Sequence, residues 1–84
     1  FVYTQTQKDF LQHLATALSS KMTSKEKINT VLMTVLKENH FVPSHVFPAL
    51  YRALIGVSHG PRAVDLIVDI GITTVRKKIK NIVS

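Results

Sequence analysis

The sequence predicts an all-α fold: a compact bundle of about five short helices with near-orthogonal crossings. Apolar residues recur at helical spacing of three and four through most of the chain, with almost no strand-like alternation. Glycine and proline number only three each, and most of them fall between those apolar runs. With 84 residues the chain can enclose one small core, and its connections are too short for a long up-and-down bundle.

The first helix is expected from Thr6 to Ser20, with Thr6 and Asp9 able to cap its start and Phe10, Leu11, Leu14, Ala17 and Leu18 on one face. A second helix follows Thr23, which with Glu26 has the spacing of a capping box ahead of Ile28, Val31, Leu32, Val35 and Leu36. It should end near Asn39, a residue that tolerates a left-handed turn. His40 to Pro43 form a connection, and Pro43 suits the first turn of a third helix reaching Ile55. That helix would bury Val46, Phe47, Leu50, Tyr51 and Leu54, although Pro48 blurs where it begins.

Gly56 breaks the pattern, and Pro61 is expected to open a short fourth helix with Val64, Ile67, Val68 and Ile70 inward. Asp65 and Asp69, four apart, share its outer face, and Gly71 closes it. A fifth helix, capped by Thr73, places Val75, Ile79 and Ile82 inside and turns Arg76, Lys77 and Lys80 away. No repeated pattern supports a solenoid, so residues 1–84 read as one helical domain. Because it begins at Phe1 with no initiating methionine, the expectation is a fragment of a longer chain.

A hydrophobic fraction of 45% is too rich for a disordered segment. The absence of cysteine leaves packing alone to hold the domain, which fits a reducing, intracellular setting, cytoplasm and mitochondrion alike. No apolar run approaches the roughly 18 residues of a membrane helix, so no membrane partner is expected. Eleven Lys and Arg against five Asp and Glu give a formal charge of +6, which favours a polyanionic partner. Four of those six excess charges lie near the end, where Arg76, Lys77, Lys78 and Lys80 follow Ile70 with no acidic residue.

Catalytic patterns are missing. His13, His40, His45 and His59 contain no pair at the i, i+3 or i, i+4 spacing of helical metal ligands, so no metal is expected. Ser58 and His59 are adjacent and cannot face one another as nucleophile and base, and no orienting acid lies nearby in sequence. The run KMTSK, Lys21 to Lys25, invites comparison with the ATP-binding Lys-Met-Ser-Lys-Ser loop of class I synthetases. It reads instead as a polar turn at a helix start, since no His-x-Gly-His element or Rossmann pattern accompanies it. This chain therefore carries no catalytic site and no cofactor of its own by sequence.

The richest segment is FPALYRALIGVSHGPR, Phe47 to Arg62, where an apolar helical stripe runs into a glycine-bounded turn that ends in a cation. Together with VLKENHFVPSH before it, and with HGPRAVDLIVDIG and VRKKI after it, this order resembles the C-terminal anticodon-binding subdomain of class I aminoacyl-tRNA synthetases of the lysyl and glutamyl types. The resemblance covers Val35 to Ile82. Where the glutamyl type carries an arginine linked to base reading, this chain has Tyr51, with Arg52 one step on, which is closer to the lysyl type. His59 before Gly60 and Pro61 also occurs in many glutamyl-type sequences, so the amino acid stays open with a slight balance toward lysine.

The resemblance implies a domain that positions tRNA for lysine or glutamate beside the catalytic domain of a parent ligase, which would bind ATP elsewhere. Tyr51, Arg52, His59 and Arg62 would supply stacking planes and charge around one turn, and the start of the Pro61 helix would offer N–H groups to a phosphate. Arg76, Lys77, Lys78 and Lys80 would hold further phosphates. Tyr51 also falls on the apolar stripe, Arg52 and Arg62 are expected to be exposed, and Gly56 with Gly60 and Pro61 would shape the backbone of the turn. A helical protein-interaction module with a basic surface is the alternative.

Overall fold

The computed structural model describes residues 2–19 and 24–83. Five helices follow in order: α1 (Gln5–Ala17), α2 (Lys25–Glu38), α3 (Pro43–Ile55), α4 (Ala63–Ile70) and α5 (Ile72–Val83). The described residues span 31 × 25 × 24 Å, a nearly isotropic body and not an extended stack.

Helix α1 packs against α2, α3 and α5, and Phe10, Leu11 and Leu14 on its inner face are completely buried. Phe10 is the aromatic hub of the core: Phe41 meets it edge to face at 5.5 Å between ring centroids, and Phe47 at 6.3 Å. Helix α4 lies against α2, α3 and α5, so that Leu66 and Ile67 join Leu32 and Leu50 in one continuous apolar cluster. Leu66 rather than the half-buried Val64 and Val68 supplies most of the inward face of α4, together with Ala63 and Ile67.

The helix starts differ from expectation in instructive ways. Helix α1 is capped by Thr4, not Thr6, and ends at Ala17, short of Ser20, which lies outside the described residues. Its capping box is formed with Gln7, whose side-chain oxygen accepts the Thr4 N–H at 2.9 Å while the Gln7 N–H donates to Thr4 Oγ1 at 3.1 Å. Asp9 instead accepts from Gln5 Nε2 one turn back. Gln7 is buried, and its Nε2 donates to the carbonyl of His45 at 2.9 Å, which ties the start of α1 to the start of α3. Tertiary contact thus selects the earlier cap.

Helix α2 is capped by Ser24 without a side-chain hydrogen bond, and Thr23 lies outside the described residues, as do Lys21 and Met22 of the polar turn. At its other end Asn39 has φ of −106°, and the left-handed residue is the next one, His40, at +56°. Pro43 opens α3 as expected. Pro61 does not open α4, which starts at Ala63 with Arg62 as its N-cap. Thr73 is inside α5, whose first residue Ile72 directly follows Gly71; the Val75 N–H donates to the Gly71 carbonyl at 2.9 Å. None of these helices is long and apolar enough to cross a membrane, among the described residues.

Candidate nucleic-acid interface

Helix α3 stops because Gly56 adopts φ of +79°, a left-handed cap that lets its N–H reach the Arg52 carbonyl at 3.1 Å. The chain then crosses residues 57–62, all exposed, before α4 begins. This crossing is fastened to α3 by Tyr51, whose hydroxyl donates to the carbonyl of Pro61 at 2.5 Å. Gly60 lies against the same ring: a Cβ placed there would sit 3.5 Å from a Tyr51 ring carbon and 2.9 Å from Ile55 Cδ1. Gly56 is thus required by its dihedral angle, whereas Gly60, expected like Gly56 to shape the backbone of the turn, serves close approach and has no left-handed φ.

Beside this turn, α2, α3 and the start of α4 enclose an open groove of about 580 Å³. Phe47 and Tyr51 of α3 and Met33 of α2 give it apolar walls, and Arg62, Lys25 and Asn29 bring polar groups to it. Glu26 and Asp65 also line it. Asp65 is not an uncompensated charge, because Lys25 Nζ lies 2.9 Å from its carboxylate. The hydrogen bond and charge of Asp65 raise the pKa of Lys25 above the ordinary lysine value, with Asp69 contributing in the same direction. Arg62 is exposed and, among the described residues, has no ion-pair partner. A second hollow of about 510 Å³ between α1 and α2 carries Asp9 and Glu38 and no Lys or Arg, a poorer host for a polyanion.

Of the residues singled out by sequence, Tyr51 and Arg62 share the groove. His59 is exposed on the crossing that Tyr51 fastens. Arg52 is not exposed as expected but half-buried, one residue round α3 from Tyr51. Its charge acts on Tyr3, whose hydroxyl pKa is raised by burial and partly pulled back by Arg52. Arg76, Lys77, Lys78 and Lys80 are all exposed on α5, which packs on α1, α3 and α4. None of them lines the groove, so the basic helix forms a separate part of the surface. The expected phosphate seat at the start of α4 is altered, since the helix begins at Ala63 and Asp65 stands in its first turn.

Sequence reading missed the α2 wall. Lys25, Asn29 and Met33 are spaced by four along one helix face, beside the core residues Ile28 and Leu32. Met33, 41% exposed, was the available signal: an apolar side chain standing on an otherwise polar flank.

The family model described as "Anticodon binding domain" matches residues 2–83. The chain is also similar to a lysine–tRNA ligase of Archaeoglobus fulgidus, at 36% identity over 78 residues. That match takes in 93% of this chain and 16% of the relative, so the chain spans about a sixth of the length of that protein. No solved structure matches. A match over nearly every residue, on an all-helical fold whose helix order follows the resembling segments, places this chain in the anticodon binding domain family.

Proposed function

We propose that this chain is the part of a class I lysyl-type aminoacyl-tRNA synthetase that holds the anticodon loop of its tRNA, positioning the RNA while another domain of the parent carries out aminoacylation. The observation that carries this reading is the family match across residues 2–83. Lysine rather than glutamate is favoured by the printed name of the relative, a lysine–tRNA ligase, and by Tyr51 at the position where the glutamyl-type pattern has arginine.

The chemistry is consistent with this role. Bases of an RNA loop are recognised once they are unstacked, against aromatic or guanidinium planes, while Lys and Arg hold the phosphates. Tyr51 and Arg62 bring a ring and a cation to one groove, His59 stands exposed on the neighbouring crossing, and α5 offers four exposed cations. Arg52, half-buried, would act from within the domain more than as a direct contact. The reading needs no cofactor in this chain, and ATP would be handled by the parent's catalytic domain. Such a protein would work where tRNA is charged, in cytoplasm or mitochondrion.

Fluorescence anisotropy with anticodon stem-loop RNAs for lysine, glutamate and unrelated amino acids, at two salt concentrations, tests the proposal. A preference for the lysine stem-loop that survives the higher salt supports it. Binding that is equal for all stem-loops and erased by salt overturns it and leaves a basic surface suited to an acidic protein partner.

A further inference from the structure

We propose that the groove between α2, α3 and α4 is a single-nucleotide subsite, in which Tyr51 and Met33 hold an unstacked base, Asn29 reads its hydrogen-bonding edge and Arg62 takes the adjoining phosphate. The inference rests on the RNA-binding reading above and extends it to a helix, α2, most of which precedes the segment that carries the sequence resemblance from Val35 onward.

Four features of the groove fit this occupant. Its volume of about 580 Å³ lies within the roughly 300–1,000 Å³ of small-ligand sites, and it is open to solvent, as a base still joined to its strand requires. Its apolar part is built from a phenol ring and a thioether, groups that lie well against a π-face. The Tyr51 hydroxyl is already bonded to Pro61, so the ring is held as a wall and is not available as a hydrogen-bonding reader. That leaves Asn29, exposed at the groove, whose amide presents one donor and one acceptor side by side and so complements a base edge with the same pair.

The groove brings together two cations, Lys25 and Arg62, and two carboxylates, Glu26 and Asp65, and their placement would set the orientation of a nucleotide. Lys25 pairs with Asp65 at 2.9 Å, which lessens the repulsion that this carboxylate would exert on a phosphate in the groove and its competition for the Arg62 guanidinium. Glu26, in the first turn of α2, repels a phosphate and thereby directs the anionic end toward Arg62 and away from α2. The same carboxylate adds an acceptor for a base that carries an exocyclic amino group.

The test uses Asn29→Ala and Asn29→Asp in this protein, against stem-loop RNAs that differ at one loop position at a time. Asn29 is exposed, so both variants should fold, and unchanged thermal melting would verify it. The expected result is a loss of about tenfold in affinity for the preferred stem-loop, with discrimination flattened at one loop position and kept at the others. Arg62→Ala should weaken every stem-loop without that change in preference. If both Asn29 variants bind the preferred RNA as the parent protein does and keep discrimination at every position, the subsite is overturned while the RNA-binding reading stands. If the unsubstituted protein shows no preference among stem-loops, the RNA-binding reading fails and the subsite fails with it.

Discussion

Tyr51 and Pro61, ten residues apart in sequence, are joined by a hydrogen bond from the tyrosine hydroxyl to the proline carbonyl that clamps the exposed crossing 57–62 onto α3. A residue that the sequence suggests as a stacking platform is also the fastening of the segment that carries His59 and leads into Arg62. Tyr51→Phe separates the two tasks, because it keeps the ring and removes the bond. It should cost about 0.5–1 kcal/mol in urea unfolding. Amide exchange should rise most over residues 57–62, and equal protection there in both proteins would contradict the clamp.

The two glycines of the turn should respond differently to alanine. Gly56 at φ of +79° has open space where a Cβ would go, so Gly56→Ala is opposed by the dihedral angle, at about 1–2 kcal/mol. At Gly60 the clash is with the tip of the flexible, 40% exposed Ile55 side chain, which can move aside. Gly60→Ala should cost less than about 1 kcal/mol, and chemical denaturation of both variants would reveal a reversed order if these roles are misassigned.

Gln7→Ala should destabilise the protein by about 1–3 kcal/mol, well above an exposed substitution such as Gln12→Ala. It removes half of the α1 capping box and the tertiary hydrogen bond from Gln7 to the His45 carbonyl. Thermal melting of the two variants compares them directly. His45 Nε2 lies 3.2 Å from Thr4 Oγ1 at the same junction, so the damage should fall on the packing of α1 against α3, visible as shifts in the Thr4 and His45 amide signals.

The Lys25–Asp65 pair should respond to pH with a definite sign. Asp65 raises the Lys25 pKa above its unfolded value, so whatever stability the pair adds is fully present below the ordinary lysine value. It is lost as pH climbs through the raised value in the folded protein. In Asp65→Asn the lysine should titrate lower, closer to the ordinary value. NMR titration of the Lys25 side chain measures this, and an unchanged midpoint would show that the two groups do not pair in solution.

Replacing Lys77, Lys78 and Lys80 together by glutamine should weaken all stem-loops alike. The dependence of affinity on salt should also flatten, by about one unit of slope for each phosphate that is no longer neutralised. The three residues are exposed on α5 and outside the groove, so preference among stem-loops should be kept. A change in preference would move base recognition from the groove to α5.

Much of this protein is local. Apolar spacing within α2 marks Ile28, Leu32, Val35 and Leu36 as the buried face, Pro43 starts α3, and Gly56 and Gly71 end α3 and α4, because each of these depends on neighbours within a turn or two. The family, too, was legible from the order of motifs between Val35 and Ile82. What sequence by itself did not determine are the relations between helices. Thr4 prevails over Thr6 as the α1 cap in company with Gln7, whose amide also reaches His45 of α3. Arg52 turns inward beside Tyr3 while Tyr51, one residue before it, faces the groove, as a step of about 100° round a helix requires. Lys25 finds Asp65, and Asn29 and Met33 come to line one groove with Tyr51, only after α2 packs on α4. Packing sets these pairs because they join residues from distant parts of the chain, whose approach no local periodicity encodes.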